Sequence, residues 1–470
     1  MKYHLAVDIG ASSGRHILGH VEQGRIVLEE VYRFENGPKK RGGRLCWDFD
    51  ALAREVVNGL KACAKLGKVP ATLGVDTWGV DFALVDREGR VLGDTVAYRD
   101  SRTQGMDALV EELIPAQELY RRTGIQKQSF NTIYQLMAVK RQSPELLEQA
   151  HRLLLVPDYL HYTLTGVMSN EYTEASTSGL VSAAAKDWDR ELLRLLGFPQ
   201  KLFGTLSLPG TALGGLRPAL REELGFDCQV ILPASHDTGS AFLAVPAGEG
   251  DSVTLSSGTW SLLGVELEQP VTTPESRAAN FTNEGGYQYR YRYLKNIMGL
   301  WMIQNLRREM AENGQLPGFG ELSRLAREAA DFPGRVDVDD PSFLAPESMS
   351  AAVRAYCERT GQPVPQSRGE LLSCVYHSLA QCYAQSVRQL ERLTGRSFQA
   401  VHIVGGGSQD AYLNQLTASA TGLPVYAGPT EGTALGNLLV QMIAQGEFAS
   451  LQEARDAIRA SFAVKEVLPC

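Results

Sequence analysis

The sequence predicts an α/β protein built from two similar halves, and three observations carry that expectation. First, 470 residues are enough chain for two substantial cores, at about 150 residues per domain. Second, the C-terminal part alternates strand, glycine turn and helix. Val401 to Val404 reads as a buried strand, Gly405-Gly406-Gly407 follows it, and a helix begins around Ala411 and runs to about Ala420, the order of a ligand-binding α/β unit. Third, Ser12-Ser13-Gly14-Arg15-His16-Ile17-Leu18-Gly19 is echoed, with one residue inserted, by Ser256-Ser257-Gly258-Thr259-Trp260-Ser261-Leu262-Leu263-Gly264. The copies lie about half a chain apart, as a duplicated fold would place them.

From the N-terminus, Leu5 to Ile9 is a short apolar run that ends in a glycine- and serine-rich turn. His16 to Val21 and Arg25 to Leu28 are extended-type segments around the turn Glu22-Gln23-Gly24, so a hairpin or meander is expected. The basic run Pro38 to Arg44 is read as a solvated loop, because no further basic or aromatic residues extend it into a nucleic-acid patch. Asp50 is expected to cap a helix whose buried face is Leu52, Val56, Leu60, Cys63 and Ala64. Leu73 to Asp86 returns to strand, turning at Asp86-Arg87-Glu88-Gly89. The stretch from Met106 to Leu164 is expected to be mainly helical, and Ser169 to Ser178 is a polar stretch after it. Further strands are expected at Cys228 to Leu232, Val253 to Leu263 and Leu423 to Tyr426. Helices are expected over Glu370 to Leu393, stopped at Gly395, and over Thr433 to Ala444. The small-residue run Ala244 to Asp251 divides the chain into expected domains 1–246 and 247–470.

Composition excludes several classes. The net charge is −8, whereas binders of nucleic acid or of an anionic membrane surface need a basic field. No run approaches the roughly 18 apolar residues of a membrane span. Asp8 interrupts the only apolar segment near the start, so no signal peptide is expected. The seven cysteines are odd in number, scattered and never spaced CxxC. That argues against a disulfide framework or a zinc site and for a cytoplasmic setting. His16 and His20 are four apart, but they lie in strand-type sequence without an intervening Glu, so a metal role is not assigned to them.

The chemistry-bearing segments each admit more than one reading. Asp8 to Arg15 joins a strand-end carboxylate to a turn rich in N–H and hydroxyl donors, suited to phosphate, with Asp8 placed for Mg²⁺ through water; the same residues also make an ordinary Gly/Ser hairpin turn. A short-chain dehydrogenase reading of Gly10 to Gly14 needs a helix next, and strand-type sequence follows instead; the YxxxK match, Tyr291 to Lys295, lies in the other half. Asp237, in Ser235-His236-Asp237-Thr238, suits either a general base or a helix N-cap. Asp76-Thr77-Trp78-Gly79-Val80-Asp81-Phe82 with Arg99-Asp100-Ser101-Arg102 suits a polyhydroxylated ligand, or else Arg99 and Asp100 form a surface ion pair. Ser256 to Thr259 is a second donor-rich turn. Gly405 to Gly407 lets a ligand approach the backbone, without the spacing of a dinucleotide fingerprint.

Taken in order, these segments resemble the FGGY carbohydrate kinases of the actin/Hsp70-like ATPase superfamily over essentially the whole chain. Further matching segments are Asn131 to Leu136, Pro157-Asp158-Tyr159 with Leu164-Thr165-Gly166, Asn283 to Gly286, Lys295 to Trp301 and His402 to Gln409. Thr77 to Phe82, Ser235 to Thr238 and Lys295 to Trp301 resemble the branch that acts on L-rhamnulose. The resemblance implies two ribonuclease-H-like (actin/Hsp70-type ATPase) domains with an interdomain cleft. It implies ATP, Mg²⁺ and phosphoryl transfer to the C1 hydroxyl of L-rhamnulose. By the same resemblance Asp237 is the base, and Gly79, His236, Thr238 and Asn296 hold the sugar. Ala11, Ser12, Ser13, Gly14 and Arg15 contact the ATP phosphates from the first domain. Thr259, Gln304 and Gly406 contact ATP from the second, and Asp8 serves the metal. Two other readings remain: a kinase of this fold for another ketose or polyol, such as L-fuculose or xylulose, and an actin/Hsp70-like module acting through protein contacts. Sugar-type segments placed around Asp237 favour the kinase.

Overall fold

The computed structural model describes residues 1–247, 251–311 and 315–470. It divides into two compact units. One comprises Met1–Ala244, Glu266–Tyr293 and Thr433–Ser461; the other comprises Val245–Val265, Leu294–Gly432 and Phe462–Cys470. The N-terminal unit thus takes in two segments from the C-terminal half. Gly248 to Gly250, within the run expected to divide the halves, lie outside the described residues.

In the first unit Tyr3–Ile9, Ser13–Glu22 and Arg25–Glu35 form an antiparallel meander. Pro70–Thr77 pairs parallel with the first of these strands, and Gln229–Ile231 pairs parallel with Pro70–Thr77. Leu5, Ala6, Val7 and Ile9 are all fully buried, as expected of a strand covered on both faces. The helix Phe49–Lys65 lays Leu52, Val56, Leu60 and Cys63 on the same core as Leu5, Val7, Leu73 and Val75. Its cap is Asp48, whose carboxylate accepts from Ala51 N at 2.9 Å. Asp50, the expected cap, falls in the first turn, where a negative charge still suits the helix dipole.

The second unit repeats the scheme. Ser252–Ser257 pairs antiparallel with Trp260–Leu267 and parallel with Ala400–Val404, and Val425–Ala427 pairs parallel beyond that. Five strands of each sheet follow the order 3-2-1-4-5, the ribonuclease-H-like arrangement: Arg25–Glu35, Ser13–Glu22, Tyr3–Ile9, Pro70–Thr77 and Gln229–Ile231 in one, and Tyr291–Met298, Trp260–Leu267, Ser252–Ser257, Ala400–Val404 and Val425–Ala427 in the other, with Ala212–Gly214 added at the edge of the first and Thr282–Gly285 and Lys465–Val467 at the edges of the second. Each echoed serine–glycine turn joins the first strand of its sheet to the second. The helix Arg368–Thr394 opens with a capping box between Ser367 and Glu370 and ends at Gly395, whose φ is +67°, a conformation glycine adopts without penalty.

Two strand expectations need correction, and the strand expected from Val253 to Leu263 is one of them: it is two strands, Ser252–Ser257 and Trp260–Leu267, joined at the echoed turn. The strand expected from Leu73 to Asp86 is two strands, Pro70–Thr77 and Phe82–Val85. The loop between them is tied down by Asp81, which accepts from Trp47 Nε1, Trp78 Nε1, Tyr98 N and Gln135 Nε2 at 2.6–3.1 Å. The stretch from Met106 to Leu164 contains a strand, Arg152–Leu155, paired with Phe82–Val85. The polar stretch from Ser169 to Ser178 is buried for most of its length and holds the helix Tyr172–Ser176. No helix among the described residues is long and apolar enough to cross a membrane. All seven cysteines are free thiols.

Candidate functional site

The strand ends of the first unit gather three carboxylates. Parallel register sets Asp8 beside Asp76, and antiparallel register sets Asp8 opposite Arg15. Arg15 donates to Asp8 Oδ2 from Nη2 at 2.9 Å and from Nε at 3.2 Å. The turn between Asp8 and Arg15 is closed by Gly10 N donating to Ser13 O at 2.9 Å. Asn36, which the sequence did not mark, pins that turn from outside. Its backbone N donates to Ser12 O at 2.9 Å and its Nδ2 to Gly10 O at 2.8 Å. Ser12 is exposed, and Gly14 lies under Phe34, where a Cβ would come 2.1 Å from a ring carbon. The glycine is therefore required by close packing as well as suited to phosphate approach.

Asp76 is fully buried. Burial, then the nearby Asp8, pushes its carboxyl well above the ordinary range, Asn437 pulls it down, and Asp237 adds to the rise. A chain of donors ends on it. His4 Nδ1 lies 2.6 Å from Thr72 Oγ1, which donates to Gln441 Oε1 at 2.6 Å. Gln441 Nε2 donates to Asn437 Oδ1 at 2.7 Å, and Asn437 Nδ2 donates to Asp76 Oδ2 at 2.6 Å. No sequence motif marks this chain, because Asn437 and Gln441 come from a helix more than 350 positions away.

Asp237 follows the strand Gln229–Ile231 by way of Pro233. Thr77 N donates to Ser235 O at 2.9 Å and Thr77 bridges to His236, so the loop extends the sheet. Asp237 is the first residue of the helix Asp237–Leu243, with His236 at the N-cap position. The capping alternative is thereby corrected: Asp237 sits one residue too late to cap. Its Oδ1 accepts from Thr238 N at 2.6 Å and from Thr238 Oγ1 at 3.1 Å. His236 Nε2 stands 3.5 Å from that same oxygen. Among the described residues no hydrogen bond reaches Asp237 Oδ2, and the side chain is 35% exposed. Burial raises its carboxyl pKa, His236 opposes the rise, and Asp8 adds to it. Such a carboxylate has one oxygen fixed and one open, which suits proton abstraction.

Gly79 faces the same place: a Cβ there would stand 3.3 Å from His236 Nε2 and 3.1 Å from the Thr177 side chain. Its neighbour Val80 has φ +71°, a strained conformation for a β-branched residue. Three hydrogen bonds hold it there: Val80 N donates to Thr177 Oγ1, and Val80 O accepts from Thr132 Oγ1 and Gln135 Nε2. The polar stretch passed over in the sequence supplies the support for Asp237. Glu171 accepts from Thr173 N, Thr173 Oγ1, Glu174 N and Ser235 N at 2.6–3.1 Å. Thr173 Oγ1 in turn accepts from His236 N at 3.3 Å. Arg99 and Asp100 serve elsewhere. Arg99 Nε donates to Tyr98 Oη at 3.0 Å, and Asp100 accepts from Leu45 N and Arg102 N at 2.7 and 2.9 Å. Tyr291 and Lys295 lie on one strand, Tyr291–Met298, and His16 packs against Gly59.

In the second unit Thr259 occupies the turn between Ser252–Ser257 and Trp260–Leu267. Its carbonyl accepts from Trp301 N at 3.1 Å, and Gly258 O accepts from Leu300 N at 3.2 Å. This seats the turn on the start of the helix Trp301–Glu309, which carries Gln304 one turn in. Gly405 and Gly407 lie against Ser257, with hypothetical Cβ positions 2.9 Å from its carbonyl and 1.9 Å from its hydroxyl oxygen, while Gly406 has no atom within 4 Å of a Cβ position. The glycine run therefore packs by two members and leaves the middle one open to a ligand. Asn296 lies on the strand Tyr291–Met298, next to Lys295, whose ammonium is 3.6 Å from Asp339.

A half-open carboxylate beside a donor-rich turn, with a second such turn on a repeated ribonuclease-H-like unit, is the equipment of a phosphoryl-transfer enzyme with a hydroxyl acceptor. Sequence comparison agrees. The FGGY family of carbohydrate kinases matches by its N-terminal domain over residues 3–244 and by its C-terminal domain over residues 253–445, and the chain belongs to that family. The family uses ATP, so ATP is the implied phosphoryl donor and a sugar the implied acceptor. Among its relatives, the rhamnulokinase of Halalkalibacterium halodurans is 47% identical over 465 residues, covering 99% of this chain and 98% of that protein. The rhamnulokinase of Oceanobacillus iheyensis is 48% identical over 459 residues, covering 98% and 97%. Among solved structures, a gluconate kinase from Lactobacillus acidophilus superposes with a TM-score of 0.81 at 17% identity, covering all of this chain and 94% of that one. A Plasmodium falciparum glycerol kinase with ADP gives 0.74 at 14% identity, covering 99% and 94%.

Proposed function

We propose that this chain transfers the terminal phosphoryl group of ATP to the C1 hydroxyl of L-rhamnulose, giving L-rhamnulose 1-phosphate and ADP in L-rhamnose catabolism. The observation that carries the reading is identity of 47–48% to rhamnulokinases over 98–99% of the chain. At that coverage both halves, with every proposed site residue, lie inside the match.

Asp237 is the base. Its Oδ2 takes the hydroxyl proton as the sugar oxygen forms its bond to the γ-phosphorus and the bond to the β-bridging oxygen breaks, with ADP leaving. Gly79, His236, Thr238 and Asn296 hold the sugar: Gly79 leaves room beside His236 Nε2, and Thr238 keeps the base aligned. Ala11, Ser12, Ser13, Gly14 and Arg15 offer N–H, hydroxyl and guanidinium donors to the phosphates. Thr259, Gln304 and Gly406 take the nucleotide from residues 247–470, which also supply Asn296 to the sugar, and residues 1–246 supply the other groups. Mg²⁺, when bound, neutralises phosphate charge and polarises the leaving group. Among the described residues no group of three metal-ligating side chains stands ready for an ion. That fits a cation held chiefly by phosphates and water, with Asp8 taking part through water. Free thiols at all seven cysteines accord with a cytoplasmic setting.

The test is ADP release with Mg-ATP across L-rhamnulose, L-fuculose, L-xylulose, D-xylulose, D-ribulose and glycerol. A rate that rises sharply with L-rhamnulose alone is expected. A rise with another of these sugars would keep the chemistry and replace the substrate. Slow ATP hydrolysis indifferent to every sugar would overturn the kinase reading.

A further inference from the structure

We propose that Arg292 is a positioning residue for phosphoryl transfer, holding His236 in the tautomer that carries its proton on Nε2, so that the ring N–H faces Asp237 and Oδ2 is left as the basic oxygen. The inference rests on Asp237 being the base and adds how its two oxygens are told apart.

His236 Nδ1 lies 3.1 Å from Arg292 Nη2 in hydrogen-bonding geometry. A guanidinium has five donors and no acceptor and keeps its proton throughout the working pH range. The Nδ1 atom facing it must therefore present a lone pair, and in a neutral ring the proton then sits on Nε2. One group competes. Glu284 Oε2 is 3.2 Å from the same Nδ1, and a carboxylate, which can only accept, would draw a proton there. Two observations decide for arginine. Arg292 Nη1 lies 3.1 Å from Glu284 Oε2, so the carboxylate already has a cation against it. The guanidinium is also locked: it is 1% exposed, and its Nε donates to Gly285 O at 2.9 Å. Gly285 is fixed in turn, since its N donates to Ser176 Oγ at 2.7 Å and a Cβ on it would strike the Tyr172 ring at 2.5 Å. The helix Tyr172–Ser176 thus backs both Arg292 and, through Thr173, the His236 backbone. Its buried Glu174 carboxyl also feels the Arg292 charge.

The consequence falls on Asp237. With the proton on Nε2, Thr238 N and Thr238 Oγ1 hydrogen-bond to Oδ1, and the His236 ring N–H brings its positive end to 3.5 Å from the same oxygen. None is left for Oδ2, which stays the more basic oxygen. The opposite tautomer would set an imidazole lone pair against a carboxylate oxygen, and the repulsion would turn the carboxylate away from the orientation Thr238 imposes. The best-known precedent for the principle is the serine-protease triad, where a wrong histidine tautomer costs about 10⁴ in kcat.

The test is long-range ¹H–¹⁵N correlation on the full-length, ligand-free chain labelled with ¹⁵N-histidine, His236 being assigned by its disappearance in His236→Gln. At pH 7.5 the expected spectrum has a protonated Nε2 and an unprotonated Nδ1. In Arg292→Met the proton moves to Nδ1, facing Glu284, and kcat falls by about 10²-fold or more while the KM for ATP holds. Arg292→Lys, which still can only donate, keeps the proton on Nε2. A protonated Nδ1 in the native chain, or a tautomer unchanged in folded Arg292→Met, would overturn the proposal. The spectra need no turnover, so the tautomer assignment can fail while L-rhamnulose is phosphorylated, and the substrate can prove different while the tautomer stands.

Discussion

At Asp237 the two carboxylate oxygens are chemically unequal, and that inequality sets what single substitutions should do. An asparagine side chain in its place would keep the shape and still accept from Thr238 through its amide oxygen, but its second position would be an amide NH₂ with no basic lone pair. For Asp237→Asn, sugar and nucleotide binding should persist while turnover falls by about 10²–10⁴. Near-normal turnover would remove Asp237 from the mechanism. Arg15 raises a different question, because its guanidinium is already engaged with Asp8 at 2.9 Å. Arg15→Ala leaves Asp8 unneutralised beside the proposed phosphate turn, so the KM for ATP should rise or kcat should fall in steady-state kinetics. Unchanged kinetics would mean that Arg15 only closes the hairpin. Asp8, Arg15 and Asp237 could be singled out as candidates because each sits in a short local pattern of turn donors or strand-end carboxylate, whereas His236 entered only through the family resemblance. Arg292, Glu284 and Asn437 could not, since what makes them matter is a partner on a distant segment.

Gly436 illustrates how much an element's position depends on one missing side chain. The helix Gly432–Ala444 crosses Asp237–Leu243 so closely that a Cβ at Gly436 would fall 1.8 Å from Ser240 O. Backbone cannot yield as a side chain tip would, so Gly436→Ala must push the helices apart. A loss of about 1–3 kcal/mol in denaturant unfolding is expected, together with reduced kcat, because the displaced helix begins at Asp237. Stability and kcat both at the native level would show that the crossing has slack. The sequence located both elements, since the small residues and apolar spacing of Thr433 to Ala444 read as helix and the Ser-His-Asp-Thr run reads as a helix start. It did not show that they cross. Nor did it place Ser169 to Ser178, because polarity in a sequence reports a need for partners and not a location. Asp158, which accepts from Asn170 Nδ2 and Glu171 N, Ser235 N, which donates to Glu171, and the local backbone N–H groups meet that need in the fold. The meander and the echoed turn were legible for the opposite reason: short apolar runs ending in glycine turns leave few alternative pairings.

Over the whole molecule the buried ionisable groups set an uncommon pH profile. Burial pushes Asp76, Asp158 and Glu174 well above the ordinary carboxyl range and raises Glu171 to about 7. Burial also lowers His4, takes His16 down to about 4 and takes His161 to about 3. The two sets act in opposite senses. A histidine with a depressed pKa contributes stability that is present above about 6.5 and is lost as pH falls through its folded value. A carboxyl with a raised pKa contributes stability that is fully present below its unfolded value and is lost as pH rises through its folded value. For Glu171 that is the window from about 4.5 to about 7, worth on the order of 3 kcal/mol in all, with about 1 kcal/mol remaining above pH 6.5. Between about pH 4.5 and 6.5 the histidines and carboxyls oppose one another. Above pH 6.5 each histidine adds only about 0.4 kcal/mol more as the unfolded chain gives up its last protons, while the carboxyls continue to titrate and the buried thiols of Cys63, Cys228, Cys374 and Cys382, pushed up to about 12, act in the carboxyls' sense toward pH 8.5. The thermal midpoint should therefore fall as pH rises from 6.5 to 8.5. Glu171→Gln should lower the midpoint throughout, because an amide NH₂ replaces one of the two oxygens that four donors share, yet flatten that fall, because nothing is left at position 171 to ionise. A midpoint level across pH 6.5–8.5, or a Glu171→Gln curve parallel to the native one, would show that these carboxyls are already ionised in the folded protein at neutral pH.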